Sequence, residues 1–139
     1  MTENAHLIGY YLERCLLEMT RKLSSNFAEA GIDLPYSQYI VMRALHKNGP
    51  QSQAQIAHFL NKDTAAIKRT LDYLEKRGLV IRNKVSGREN IVNISDKGCE
   101  MMPLIIKVAE STIKELLNGV PDETIEIVLS FLMSISAKK

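Results

Sequence analysis

Residues 63–98 read DTAAIKRTLDYLEKRGLVIRNKVSGRENIVNISDKG, and this stretch decides the predicted fold. In its first half, Ile67, Leu71 and Leu74 recur at spacings of four and three, which predicts a helix with one apolar face. The residues that this spacing turns away from the core are polar, basic or small: Thr64, Ala65, Lys68, Arg69, Asp72 and Lys76. The exposed face of this helix is therefore short and basic.

The second half of the stretch predicts a two-stranded hairpin. Gly78 ends the helix, the apolar residues 79–81 with Arg82 follow, and after a Ser-Gly turn residues 90–94 return with an alternation of period two. Lys84 and Arg88 fall near the tip of this hairpin. A helix followed by a ribbon with a basic tip is the order of parts with which a protein enters a DNA major groove and reaches the neighbouring backbone.

A second, shorter helix is predicted directly before the first. Ser52 and Gln55 have the spacing of a capping box, and Asn61 or Asp63 can cap the helix that follows. The apolar face of the short helix consists of Ile56, Ala57 and Leu60. Two helices joined by so few residues predict a helix-turn-helix, in which the first helix braces and the second enters the groove.

Charge supports an interaction with nucleic acid. Residues 62–88 contain eight basic and three acidic side chains, a local charge of +5, whereas the remainder has ten basic and thirteen acidic, or −3. Basic side chains that bind phosphates release counterions, so such a patch gives DNA affinity that falls with salt. A basic run can also be only a solvated surface.

The predicted DNA contacts are on the two helices and the hairpin. On the second helix, Lys68 and Arg69 can donate to guanine, Thr64 can bond a base or a phosphate, and Ala65 can touch a thymine methyl. The other candidates are Ser52 and Gln53 as phosphate contacts at a helix N-terminus, and Lys84 and Arg88 as wing contacts. Ser52 and Gln53 can equally be plain caps, and the hairpin tip can be a mobile charged turn.

The chain resembles the winged-helix regulators of the MarR family over essentially its whole length. The matching residues are Ile56-Ala57 and Leu60, Leu74-Glu75-Lys76-Arg77-Gly78-Leu79-Val80 with Arg82, and Ile94-Ser95-Asp96-Lys97-Gly98, which is similar to the family's exit from the wing. The resemblance implies a mainly α fold with a small β-hairpin wing: a winged helix-turn-helix lobe at 35–98 with dimerisation helices at 1–30 and 99–139, in one unit of 1–139. It also implies an Asp-x-Arg pair in the wing, where this sequence has Ser86 and Arg88. The Arg is kept and the Asp is lost, so this wing lacks the charge-assisted pair.

The terminal segments predict long helices with more apolar surface than one small domain buries. The first stripe is Leu7, Tyr11, Leu12, Cys15, Leu16, Met19, Leu23 and Phe27, and the C-terminal stripes run over 102–117 and 125–135, separated by Pro121. A second copy is the simplest partner, since reading two DNA half-sites requires a two-fold axis. The alternative is that these stripes close a monomeric core. The resemblance implies the homodimer.

The resemblance also implies a small-molecule effector cleft between the terminal helices and the DNA-binding lobe. The residues of this sequence that can line it are Tyr11, Cys15, Tyr36, Tyr39 and Arg43, each of which can instead be an ordinary core or interface side chain. Cys15 and Cys99 are predicted to be reduced, buried thiols. Peroxide sensing by Cys15 is the less favoured alternative, because its position falls about one turn after the cysteine that senses in some relatives.

Composition limits the remaining classes. The 139 residues carry a net charge of +2 and include no long uncharged apolar run, which predicts a soluble, cytoplasmic protein with no membrane partner. The three histidines lack metal-ligand spacing, and no phosphate loop or nucleophile elbow occurs, so no metal, cofactor or enzymatic activity is expected. We therefore predict a homodimeric, double-stranded DNA-binding transcriptional regulator, a repressor relieved by a small molecule. The alternatives are a winged-helix module that docks a protein without reading DNA, and a ligand carrier or enzyme.

Overall fold

The helix-turn-helix forms from the local signals that predict it. The computed structural model describes residues 1–85 and 89–138. In it, the Ser52 hydroxyl accepts a hydrogen bond from the amide of Gln55, and the Gln55 side chain accepts one from the amide of Ser52. This capping box starts helix α3 (Gln53–Leu60), which ends at Asn61 in a left-handed conformation, φ 54°. Asp63 then accepts from the amide of Ala65 at 3.0 Å and begins helix α4 (Thr64–Lys76).

The wing is part of a three-stranded antiparallel sheet rather than an isolated hairpin. Strand β1 (Gln51–Ser52) pairs with β3 (Glu89–Ile94), which pairs with β2 (Val80–Val85). Strand β1 is not predictable from the sequence, because two residues are too few to show a period of two. By pairing Gln51 with Val92, this short strand joins the start of α3 to the wing.

The core lies where α2 (Tyr36–Asn48), α3, α4 and the sheet meet the end of helix α1 (Leu7–Glu29) and helix α5 (Asp96–Leu116). Its largest fully buried side chains are Phe27, Met42, Leu45, Ile56, Leu71, Leu74, Leu79, Met102 and Ile105. Helix α5 begins at Asp96, so the predicted boundary at 98/99 between the lobe and the C-terminal helices falls inside a continuous helix. The amide of Gly98 donates to the Ser95 hydroxyl at this helix start.

The terminal helices are attached to this core at one end and exposed over most of their length. In α1 only Leu23 and Phe27 are buried, and the Asn26 amide donates to the Thr112 hydroxyl of α5 at 2.8 Å. Helix α6 (Asp122–Ser136) buries none of its residues in the single chain. The exposed apolar residues of α1 and α6 include Leu7, Ile8, Tyr10, Tyr11, Leu12, Leu16, Leu17, Ile127, Val128, Leu129, Phe131, Leu132, Met133 and Ile135.

The prediction that both cysteines are buried is wrong for the single chain. Cys15 and Cys99 are free thiols and both are exposed. Cys15 lies on the apolar stripe of α1, but the chain itself supplies no element to cover that part of the stripe. Cys99 follows the buried Gly98 and therefore points to the outer side of α5. Among the described residues, no helix is both long and apolar enough to cross a bilayer.

Candidate nucleic-acid interface

The outer face of α4 carries the predicted base-reading residues on its first two turns. Thr64, Ala65, Lys68 and Arg69 are all exposed, whereas Ile67, Leu71 and Leu74 on the opposite face are buried. Within the part of the chain that the structure describes, Arg69 makes neither an ion pair nor a hydrogen bond. The structure thus presents a free guanidinium on the same surface as Thr64 and Ala65.

Lys68 lies on this face but is held by a neighbouring carboxylate. Its Nζ donates to Asp72 Oδ2 at 3.1 Å, one turn later on α4. Asp72 Oδ1 lies 2.9 Å from a guanidinium nitrogen of Arg82, which belongs to β2. These two hydrogen bonds hold the pKa of the Asp72 carboxyl below its ordinary value of 3.8. The carboxylate is therefore ionised at neutral pH and connects α4 to the wing.

One further cation of the basic segment, Arg77, has a structural role. The Arg77 guanidinium donates to the side-chain oxygen of Gln38 at 2.7 Å and to the backbone carbonyl of Asp33. Lys97, in turn, donates to the carbonyl of Arg77 at 3.0 Å. Because Arg77 and Arg82 are both engaged in this way, fewer cations are available to DNA than the local charge of +5 suggests.

The residues at the start of α3 are placed for a backbone role. Ser52 is 3% exposed and its hydroxyl is used by the capping box, whereas Gln53 is half-buried in the first turn. The cap function of Ser52 is thus present in the structure. A phosphate contact by either residue stays a prediction, and for Ser52 the burial favours the backbone at the helix start over the hydroxyl.

The predicted wing contacts are only partly covered by the structure. Lys84 belongs to β2, where its backbone is opposite Asn90 of β3. Arg88 and Ser86 lie outside the described residues. Both wing contacts therefore stay predictions, and so does the effect of the missing Asp in the wing.

Three of the predicted effector residues cluster on α2. The Tyr36 and Tyr39 rings are half-buried with centroids 6.0 Å apart, and Tyr39 packs against Phe27 of α1 at 5.5 Å. Burial raises the pKa of both tyrosines above the ordinary 10.0; Tyr39 adds to the rise at Tyr36, and Arg43 opposes it at Tyr39. Both phenols are therefore neutral at physiological pH and can donate a hydrogen bond.

The other two predicted effector residues lie elsewhere. Tyr11 and Cys15 line an open groove on α1 together with Arg14, Leu17, Glu18 and Arg21. Tyr11 precedes Phe27 by more than four helical turns, or about 24 Å. The single chain therefore does not bring the five residues into one cleft, and a shared site would require a second chain or a change of shape.

Sequence reasoning missed Asp72 and Arg82 as a functional pair. The spacing of four between Lys68 and Asp72 is a recognisable helix ion pair. The approach of Arg82 to Asp72 depends on how β2 packs on α4, for which no local pattern exists. Among the described residues, no group of three or more His, Cys, Asp or Glu side chains is arranged to hold a metal ion.

Comparison with known proteins identifies the same arrangement elsewhere. Residues 34–86 match the model of the MarR family. A MarR-family transcriptional regulator from Rhodococcus sp. RHA1 has a similar structure, with a TM-score of 0.87 at 20% identity over 99% of this chain and 97% of that one. The repressor CouR of Rhodococcus jostii RHA1, bound to a 23-mer DNA duplex, gives 0.83 at 27% identity over 98% and 96%.

A third structure concerns a regulator whose DNA binding responds to a small molecule. BpsR of Bordetella bronchiseptica, studied for its regulation by 6-hydroxynicotinic acid, gives a TM-score of 0.83 at 16% identity over 100% of this chain and 99% of that one. The predicted resemblance and the winged-helix fold are thus confirmed.

Proposed function

We propose that this protein, whose residues 34–86 match the MarR family model and whose fold is that of MarR-family regulators, is a homodimeric, sequence-specific DNA-binding transcriptional repressor. The observation that carries the proposal is the outer face of α4. It exposes Thr64, Ala65 and Arg69, which has no ion pair among the described residues, on the first two turns, and these turns contact base edges in helix-turn-helix proteins. CouR, which is 27% identical, is a repressor bound to duplex DNA.

The homodimer is supported by the apolar surface of α1 and α6. Exposed apolar patches of this extent are uncommon on monomeric proteins and mark interaction sites. Since α6 buries no residue in its own chain, its apolar face is available to a partner. A second copy that uses the same surfaces forms an isologous interface and places two α4 helices around a two-fold axis.

Binding to a random-sequence duplex across a salt series tests the DNA function. We expect the affinity to fall steeply with salt, and Lys68→Ala combined with Arg69→Ala to weaken binding and reduce the slope of log affinity against log salt by about one to two. Lys107→Ala with Lys114→Ala removes the same charge from exposed positions on α5 and should leave the slope nearly unchanged. No duplex binding even at low salt would contradict the proposal and favour the protein-docking module.

We further propose that a small molecule relieves repression by binding near Tyr36, Tyr39 and Arg43. Such a ligand acts only if it binds one spacing of the two α4 helices better than the other. A thermal-shift screen, followed by titration of hits into the protein–duplex complex, tests this. A true effector raises the melting temperature of the free protein and releases the duplex, and Tyr39→Phe, which removes only the hydroxyl, weakens its effect. A ligand that stabilises a protein without duplex affinity would instead favour the carrier or enzyme.

A further inference from the structure

Asp72 is the acidic residue in the middle of the basic outer face of α4, and both of its carboxylate oxygens are occupied. Oδ2 accepts from Lys68 Nζ at 3.1 Å, and Oδ1 lies 2.9 Å from the Arg82 guanidinium. An ionised carboxylate has about four lone-pair sites, and here each oxygen has one cationic partner, which orients the group toward Lys68 and Arg82. Asp72 is thus arranged to hold its neighbours.

Of the two partners of Asp72, Arg82 is the more constrained. Its side chain is 13% exposed, its Nε is buried with no hydrogen-bond partner among the described residues, and one terminal nitrogen also donates to the carbonyl of Lys68 at 3.4 Å. Removing a guanidinium from water is costly unless a counter-charge is present. Glu75 is farther away at 3.9 Å, so Asp72 is the main counter-charge that keeps β2 against α4.

Lys68 is the more exposed partner of Asp72, with 61% of its side chain exposed. Its positive charge is offset by a carboxylate that lies on the same surface. On random DNA, where the protein finds only phosphates, Lys68 must give up Asp72 to reach one, and the carboxylate itself is repelled by the backbone. Specificity is often built from such a repulsive element beside an attractive one.

We propose that Asp72 is a positioning and discrimination residue: it fixes Lys68 and Arg82, and so holds the wing against the groove helix and withholds a cation from non-specific phosphate binding. This inference rests on the proposed DNA function. It assigns Asp72 the task of lowering affinity for random duplex while preserving affinity for the operator.

The test is Asp72→Asn, measured on two probes: a random 30-base-pair duplex, and a duplex that the wild-type protein selects from a randomised pool. We expect the variant to bind the random duplex about three- to tenfold more tightly near physiological salt, because one more cation reaches phosphate, with a salt slope steeper by about one. Affinity for the selected duplex should not rise, so the ratio of the two affinities falls by at least the same factor.

Glu75→Gln is the matched control, because it removes the same charge one turn later on α4 without touching Lys68. If charge alone mattered, both variants would shift random-duplex binding equally, and the inference would be overturned. In a Lys68→Gln background, Asp72→Asn should no longer steepen the slope, since the cation that it releases is absent. An unchanged affinity ratio in Asp72→Asn would also overturn it.

Failure of the inference is distinguishable from failure of the proposed function. If the wild-type protein binds and selects duplexes but Asp72→Asn behaves like it, only the role of Asp72 is refuted. If the wild-type protein binds no duplex, both are refuted. Asp72→Asn keeps a side-chain oxygen that can accept from Arg82, and Glu75 remains 3.9 Å from the guanidinium, so we expect the variant to stay folded. Its melting temperature, measured beside that of the wild type, excludes misfolding as the cause.

Discussion

Gly98 lies in the first turn of α5 directly beneath the wing, where the chain leaves no room for a side chain. A Cβ at this position would collide with the carbonyl oxygen of Leu79 and come within 2.6 Å of Ile94 Cγ2 and 3.3 Å of Met42 Cε. The carbonyl belongs to the backbone beside β2, so it cannot move without disturbing the sheet. Glycine is thus required here for packing, and it allows α5 to start against the DNA-binding lobe.

Gly98→Ala is therefore expected to destabilise the fold by about 1–3 kcal/mol, the usual cost of forcing extra volume into a packed site. Urea denaturation at one fixed protein concentration measures it. The neighbouring Cys99→Ala is the control, because Cys99 is exposed and its replacement should change the free energy of unfolding by no more than about 0.5 kcal/mol. Equal stability of Gly98→Ala and the wild type would show that the wing and α5 are not packed as described.

Three arginines of the basic segment show what the sequence can and cannot predict for single residues. Periodicity correctly placed Arg69 on the exposed face of α4. The count of charges over 62–88 places Arg77 and Arg82 in the same basic patch. In the structure, however, Arg77 binds Gln38, which is 39 positions away, and Arg82 binds Asp72. Contacts between residues so distant in sequence depend on tertiary packing, which no local spacing encodes.

At the level of elements, the signals that have a local physical cause were read correctly. The capping box of α3 and the Asp63 cap of α4 occur in the structure, because each satisfies backbone groups within a few residues. The break at Pro121 also occurs, because proline fixes φ and lacks the N–H that would continue the preceding helix. Strand β1 was not predicted, since it exists only by pairing with β3. The start of α5 at Asp96 was also missed, since the wing-exit motif was read as the end of the lobe and the apolar period begins later.

The terminal helices have apolar faces that the single chain does not bury. Their apolar period predicted burial of Cys15 and its neighbours, yet the structure leaves this surface exposed. In the proposed dimer, a second copy buries this apolar stripe. The sequence pattern therefore identifies the surface but not the partner that covers it. The predicted effector residues also fall into two separated groups on one chain, one on α1 and one on α2.

The pH dependence of the α4–wing connection follows from the lowered pKa of Asp72. A carboxyl whose folded pKa is depressed keeps its ion pairs above that value and loses them only as the pH falls through it. Because this lowered pKa lies far below pH 6, the Asp72 carboxylate keeps its ion pairs with Lys68 and Arg82 from pH 6 to pH 8, with Glu75 the further charged group beside Arg82. The difference in salt slope between Asp72→Asn and the wild type should therefore be the same at pH 6 and pH 8.

In the proposed dimer, two copies of the molecule hold their α4 helices so that both enter one DNA duplex. The apolar faces of α1 and α6 supply the proposed contact between copies, and α3 and the sheet hold α4 outward. Adjacent major-groove half-sites on one face of a duplex are separated by about one helical turn, or 10–10.5 base pairs. The spacing of the two α4 helices must match this distance or a multiple of it.

Phe131→Glu provides the matched variant for this claim. Phe131 is 40% exposed in the single chain, so the substitution should leave the fold of each copy intact while placing a charge in the proposed interface. If this variant stays folded but no longer protects the second half-site, the two-fold arrangement depends on the terminal helices.

Hydroxyl-radical footprinting on fragments of the genome that encodes this protein is the most direct measurement. We expect the wild-type protein to protect two patches related by a dyad and separated by about one helical turn or a multiple of it, and Phe131→Glu to lose that symmetry. A single asymmetric footprint for the wild type, or no protection at low salt, would contradict the account.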